Sequence, residues 1–319
     1  MRWLQSTIVC AAFALSAGAH AQTYPTKPVR FIVAFAPGGP ADVVGRLVAQ
    51  RIAEQWGQPV VVENRAGAGG AIAAQQVAQA AADGYTVLVT TSALAVTPAL
   101  NPNAGYNALK DFVPVTLIAS SPNLFVASQA SGIRTLREAI DKAKSGSLNY
   151  GTAGAGTTPH LSAEYLFKVL GKVNVVHVPY KGAGPAMQAV VAGETELASV
   201  AISAGVPHVK SGRAVGLAVT SAKRVAALPE VPTVAESGFP GFEDYTWVGL
   251  FLPAGTPPEV VARLNDGAQR ALQTPDLREK LAGLGFEPVG SGPREFAPYL
   301  GEELAKWARV VKETGAKAE

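Results

Sequence analysis

Residues 29–42 read Val-Arg-Phe-Ile-Val-Ala-Phe-Ala-Pro-Gly-Gly-Pro-Ala-Asp, an apolar run rich in β-branched residues that ends in a Pro-Gly-Gly turn. The turn opens an amphipathic helix with Val44, Leu47, Val48, Ile52 and Trp56 on one face. This strand, glycine turn and helix limit the choice of fold. Glycine lets backbone N–H groups face outward, and a helix start carries partial positive charge, so the unit is a seat for an anion at the carboxyl end of a strand. The pattern recurs three times, at Arg65 to Gly70 (RAGAGG), at Gly151 to Thr158 (GTAGAGTT) and at Val178 to Pro185 (VPYKGAGP). Any one such turn reads as a simple connector. Four together predict a ligand site, because ligands of α/β sheets sit where these turns lie.

The rest of the chain continues the alternation. Strands are expected at 29–35, 59–63, 86–90, 113–119, 124–128, 148–150, 174–178, 197–201, 214–220, 246–251 and 286–289. Helices are expected near 41–56, 70–82, 135–144, 159–170, 184–192, 258–273 and 294–313. Alternation of this kind predicts an α/β fold with mostly parallel sheets flanked by helices. Ala119–Asn123 and Pro240–Trp247 look like hinges. They divide the chain into a discontinuous domain 1 (22–120 plus 248–319) and a domain 2 (121–247). Two crossings suit hinge closure around a ligand.

The N-terminus combines Arg2, an apolar run from Ile8 to Ala17 and Ala19-His20-Ala21, which describes a secretory signal peptide over 1–21, cleaved after Ala21. Cys10, the one cysteine, lies inside it, so the mature chain has no disulfide, thiolate metal site or cysteine nucleophile. One arginine leaves with the signal, so 26 basic residues face 24 acidic ones. That balance gives no electrostatic footprint for nucleic acid. No later apolar run is long enough to span a membrane. A soluble, secreted protein is expected.

The spacing rules for nucleotides fail. Gly171-Lys172 is followed by Val173, so no P-loop forms; Ile72 and Pro159 stand where G-x-G-x-x-G needs glycine. No serine sits in G-x-S-x-G, and His160, His177 and His208 form no H-E-x-x-H pair. The reading is of no catalytic residue, no metal and no cofactor. The turns supply neutral donors instead: backbone N–H, Ser92, Ser121, Thr152, Thr157, Thr158 and Tyr180. Asp42 has two readings, a carboxylate favoured by the helix dipole with Arg46 as its i+4 partner, or a ligand contact. His160 is either ligand-facing or turn-stabilising. Phe35, Tyr180 and Trp247 either wall a cleft or pack in the core.

The chain resembles a family throughout its mature length. The matching stretches include Tyr24-Pro25-Thr26-Lys27-Pro28, Phe35 to Gly39 with Asp42 and Arg46, and Val62 to Gly70. They continue through Asp83-Gly84-Tyr85-Thr86, Asp111 to Val115, Gly154 to Thr157 with His160-Leu161, and His177 to Gly182. Leu217 to Thr220, Leu228 to Gly238 and Pro253 to Pro257 complete them. In this order they resemble the receptors of tripartite tricarboxylate transporters, the Bug family of periplasmic solute-binding proteins. The resemblance implies a two-domain, type II-like binding protein and a monomer. It further implies a di- or tricarboxylate or an aromatic carboxylate as ligand, and membrane transporter subunits, or a sensor, as partner. It places domain 1 contacts on Ala36, Pro37, Gly38, Gly39, Asp42, Gly67, Ala68, Gly69 and Ser92. Domain 2 contacts fall on Thr152, Gly154, Gly156, Thr157, Thr158, His160, Tyr180, Ala201, Ile202 and Ser203. Asn107 and Gly193-Glu194-Thr195-Glu196 depart from the family pattern. Residues 201–205 lack the acidic or amide side chain often found there, which favours a ligand without an ammonium group. A secreted enzyme on the same scaffold is the weaker reading, lacking a nucleophile–base pair.

Overall fold

In the computed structural model, which describes residues 24–317, β1 (Val29–Val33) lies between β2 (Val60–Asn64) and β3 (Thr86–Thr91), parallel to both. The signal peptide read over 1–21 lies outside the described residues. Phe31, Ile32 and Val33 are fully buried, as a continuous apolar strand covered on both faces must be. α1 (Pro40–Trp56), α2 (Ala71–Ala78) and α3 (Ala93–Leu100) follow these three strands.

The next strand, β4 (Phe112–Ser128), is 17 residues long and serves two sheets. The break expected at Ala119–Asn123 does not occur. Those residues stay in a ladder, with Ser120 opposite Trp247 and Ser121 opposite Thr246. What changes is the partner. The pairing with β9 (Tyr245–Pro253) ends at Pro122, whose ring removes a donor, and from Asn123 and Leu124 the strand lies between β7 (Leu197–Ala201) and β8 (Ala214–Val219). The second crossing is the start of β9.

Beyond the crossing lie α4 (Leu136–Ser145), β5 (Asn149–Thr152), α5 (Thr158–Glu164, continued by a π-helical stretch Tyr165–Leu170), β6 (Val176–Pro179), α6 (Ala183–Ala192) and α7 (Ile202–Lys210). β5 pairs in parallel with β6 and β7. The chain returns through β9 to α8 (Pro258–Gln273), α9 (Pro275–Gly283), β10 (Glu287–Ser291) and α10 (Pro293–Thr314). Parallel ladders thus form the outer part of each lobe, while the crossing strands are antiparallel to their neighbours, and both sheets are mixed.

Each lobe has its own core. Phe31, Leu88, Phe251 and Phe296 centre the first; Phe125, Tyr150 and Phe167 centre the second. Trp247 belongs to the first core, edge-on to Phe296, with its indole N–H donated to Glu303 at 3.0 Å. Three helices escape the sequence pattern. α3 is buried through its first five residues and carries Pro98, α7 carries Gly205 and Pro207, and α9 follows α8 after Thr274 alone. A mostly apolar, buried helix such as α3 shows a weak 3.6-residue period.

Candidate functional site

Between the lobes lies a small cavity. Phe35, Gly39, Pro40 and Thr91 wall it from the first lobe; Ala153, Thr157, Pro159, Ala183 and Ala201 wall it from the second; Thr246 of β9 forms part of its floor. These residues follow, or end, β1, β3, β5, β6 and β7, and the helices α1, α5, α6 and α7 contribute lining residues at their starts. No charged side chain among the described residues lines it. The first N–H groups of each helix have no partner inside the helix, so four positive helix ends adjoin an uncharged space.

Of the residues expected to bind ligand, Gly39, Thr157 and Ala201 line this cavity. A second, larger space is bordered by Gly67, Ala68 and Gly69 from one side and by Gly154, Gly156 and Tyr180 from the other. These six residues form the outer rim. The Thr97 hydroxyl bridges the rim, lying 3.2 Å from both Gly69 O and Gly156 O. Ser92 and Thr158 join the lobes deeper in, hydroxyl to hydroxyl. Ala36 donates its N–H to Lys181 O at 3.0 Å, and Pro37 and Gly38 pack on Gly184. The lobes are therefore closed on each other, with the turns in direct contact.

Other expected residues stand behind the wall. Asp42 is buried, with Oδ2 accepting the Gly38 N–H at 3.1 Å and Oδ1 accepting from Arg46 Nε at 2.9 Å and Asn64 Nδ2 at 2.8 Å. The i+4 pair with Arg46 forms, and the carboxylate shapes its own turn. Thr152 Oγ1 accepts the Gly154 N–H at 3.1 Å and meets His177 Nε2 at 2.7 Å. His160 stacks on His177, ring centroids 4.1 Å apart, and its Nδ1 accepts the Gly156 N–H at 3.4 Å. Burial, reinforced by the neighbouring His177, pushes the His160 pKa down to about 3; burial pushes His177 down to about 4. Both rings are neutral at pH 7, as an Nδ1 that accepts must be. Ile202 is fully buried, and Ser203 is buried with its hydroxyl unpartnered among the described residues.

Phe35, weighed for the wall, lies in it, and Pro40, Thr91, Ala153, Pro159, Ala183 and Thr246 line the cavity without being among the expected contacts. Ala183 was signalled by its place in Gly182-Ala183-Gly184. Thr246 had no local signal, since a crossing strand carries no turn motif.

Two sheets joined by two crossing strands around a cavity at the strand ends define a periplasmic binding protein of two lobes. The family described as "Tripartite tricarboxylate transporter family receptor" matches residues 44–316, and the chain belongs to that family. It is 37% identical over 314 residues to the protein BugT of Bordetella pertussis, covering 97% of this chain and 96% of BugT. Among solved structures it is similar to the periplasmic binding protein BugD, with a TM-score of 0.89, 34% identity, and coverage of 93% of this chain and 100% of that one. R. palustris Rpa4515, solved with adipate, gives 0.89, 36%, 93% and 100% in the same order. MatC of Rhodopseudomonas palustris, solved with bound malate, gives 0.86, 37%, 90% and 100%.

Proposed function

We propose that this protein is a periplasmic receptor that captures a small organic anion, a carboxylate without an ammonium group, between its lobes and delivers it to the membrane subunits of a tripartite transporter. In this reading residues 1–21 are the export signal. Gly39, Thr157 and Ala201 contact the ligand through backbone and hydroxyl groups, and the rim residues Gly67 to Gly69, Gly154, Gly156 and Tyr180 close over it.

The observation that carries the reading is that four helix starts adjoin a cavity with no charged lining. Each favourable terminus contributes about 0.3–1 kcal/mol to holding an anion, up to ~2 kcal/mol when partly buried. At the upper figure four of them approach the roughly 8 kcal/mol of micromolar binding without an arginine. An ammonium group would meet the same field with the wrong sign and find no acidic side chain in the wall. The adipate and malate held by Rpa4515 and MatC, and the family to which the chain belongs, support the same ligand class.

The test is a panel of carboxylates, amino acids, sugars and nucleotides scored by the melting temperature of residues 22–319. At 100 times its Kd, a ligand adds about 2.7 kcal/mol. That corresponds to a shift of roughly 5–10 °C for a chain of this size. A carboxylate is expected to give it. A shift from sugars or nucleotides alone would refute the reading.

A further inference from the structure

Hydroxyl groups in the cavity wall differ in what they have left to offer, and the difference can be read from their partners. A threonine hydroxyl has one hydrogen and two lone pairs. Thr157 Oγ1 donates its hydrogen to Gly154 O at 2.8 Å. Thr246 Oγ1 donates its hydrogen to Asn123 Oδ1 at 2.7 Å. Thr91 is the opposite case: its oxygen accepts the Ala93 N–H at 3.3 Å, which leaves its hydrogen free. The cavity therefore presents two acceptors, Thr157 and Thr246, among the donors of the helix starts and Thr91.

The state of Thr246 is imposed from outside the cavity. The Asn123 side chain is fully buried, and its Nδ2 donates to Asp244 Oδ2 at 2.8 Å. Ser162 donates to the same oxygen, and Asp244 Oδ1 lies 3.7 Å from Lys306 Nζ. The Asn123 backbone N–H is held by Thr220 Oγ1 at 2.8 Å. Turning the amide over would set its oxygen against a carboxylate oxygen and its NH₂ against the Thr246 hydroxyl. Protonating Asp244 on Oδ1, which has no hydrogen-bond partner, leaves Oδ2 an acceptor, so the amide keeps its orientation in either state. The Thr246 hydrogen stays committed to Asn123.

A plain carboxylate brings only acceptors, and its oxygens would face the lone pairs of Thr157 and Thr246. Two buried acceptors left without a donor are unfavourable. An ammonium group would supply donors but opposes the positive helix ends. A hydroxyl on the ligand supplies a donor without charge.

Resting on the carboxylate reading above, we propose that Thr246 and Thr157 are specificity-determining residues that select a carboxylate bearing a hydroxyl group. Asn123 and Asp244 are the positioning residues that hold Thr246 in its accepting state. The relay joins the two crossing strands, Asn123 on β4 and Thr246 on β9.

The test is calorimetric titration with matched pairs differing by one hydroxyl: malate and succinate, lactate and propionate, mandelate and phenylacetate, citrate and tricarballylate, with aspartate as the ammonium counterpart of malate. For the pair that binds, the hydroxy acid is expected to bind at least tenfold tighter. Thr246→Val should cut that preference below threefold by weakening the hydroxy acid relative to the unsubstituted acid, and Thr246→Ser should keep it. Asp244→Ala removes the carboxylate oxygen that accepts from Asn123 Nδ2, which frees the Asn123 amide to turn over. Thr246 then accepts from Asn123 and donates into the cavity, so the unsubstituted acid should bind more tightly than it does to wild type. A merely structural role for Asp244 would weaken both members of the pair alike and would overturn the positioning assignment. Equal affinities within the pair for wild type, a preference that survives Thr246→Val, or aspartate binding as well as malate would overturn the inference while leaving the carboxylate reading intact. If no member of any pair binds, the carboxylate reading falls and the inference falls with it.

Discussion

Gly184 sits in the first turn of α6, at an ordinary helical φ, and an added methyl there would lie well inside van der Waals distance of Pro37 O on the other lobe. This separates two effects that most substitutions mix. Within its own lobe Gly184→Ala is favourable, since alanine is the better helix former by roughly 0.5–1 kcal/mol. Across the cleft it is unfavourable, because a carbon–oxygen contact sits at about 3.3 Å or more. The turn at Pro37 must retreat by ~1 Å, which strains the Ala36 N–H to Lys181 O bond that now measures 3.0 Å. Overpacking costs about 1–3 kcal/mol, and the stretched hydrogen bond lies within that range. The expected result is a 5- to 150-fold rise in the Kd of the bound carboxylate, with the ligand-free melting temperature equal to wild type or higher. Calorimetric titration and thermal melting of the same preparation read both. An affinity within twofold of wild type would refute the reasoning, since the contact between turns would then not belong to the ligand-bound state.

Gly39→Val places its branched side chain against Ala183 and into the cavity wall, where even a Cβ at that position is already 3.7 Å from Ala183 Cβ. Binding should disappear while the circular dichroism spectrum stays that of the folded protein; retained binding would make the first turn a connector only. Stability should respond to acid through His160. Its folded pKa of about 3 lies below the ordinary 6.5, so the folded protein binds fewer protons, and the contribution is complete above pH 6.5 and lost as pH falls. Between pH 6.5 and 5 the loss amounts to about 2 kcal/mol, and His160→Asn should flatten the acid side of the melting profile. Asp244 acts in the opposite sense. Burial raises its pKa from 3.8 to about 7, so its burden grows as pH rises from about 4 to 7 and is complete above 7. Asp244→Asn should raise the melting temperature at pH 8 by more than at pH 5; a profile parallel to wild type would contradict this.

Where sequence alone succeeds and fails follows from range. The β1 turn is legible because an apolar parallel strand, two glycines and a helix start are contiguous, and Gly39 indeed reaches the cavity. Asp42 and Arg46 are legible as a pair because their spacing fixes them on one helix face. Gly67 to Gly69 share the glycine signal but border the outer rim, because what a turn touches depends on how the other lobe docks. The continuity of β4 through Pro122 was hidden because a proline next to serines reads as a break, whereas in the fold it marks a change of ladder partner. Thr246 and Asn123 are more than 120 residues apart, and only the antiparallel register of β4 and β9 joins them. His160 and His177 look like separate residues in sequence and become one stacked pair because α5, which follows β5, packs beside β6.

The central claim is that backbone helix ends, and not cationic side chains, hold the ligand. The most direct measurement is a crystal structure of residues 22–319 with the carboxylate that gives the largest melting shift. The expected result places a carboxylate group in the cavity walled by Gly39, Thr157, Ala183 and Ala201, its oxygens within about 3 Å of first-turn N–H groups from both lobes. A carboxylate paired with an arginine or lysine side chain, or lying outside the space between the lobes, would contradict it.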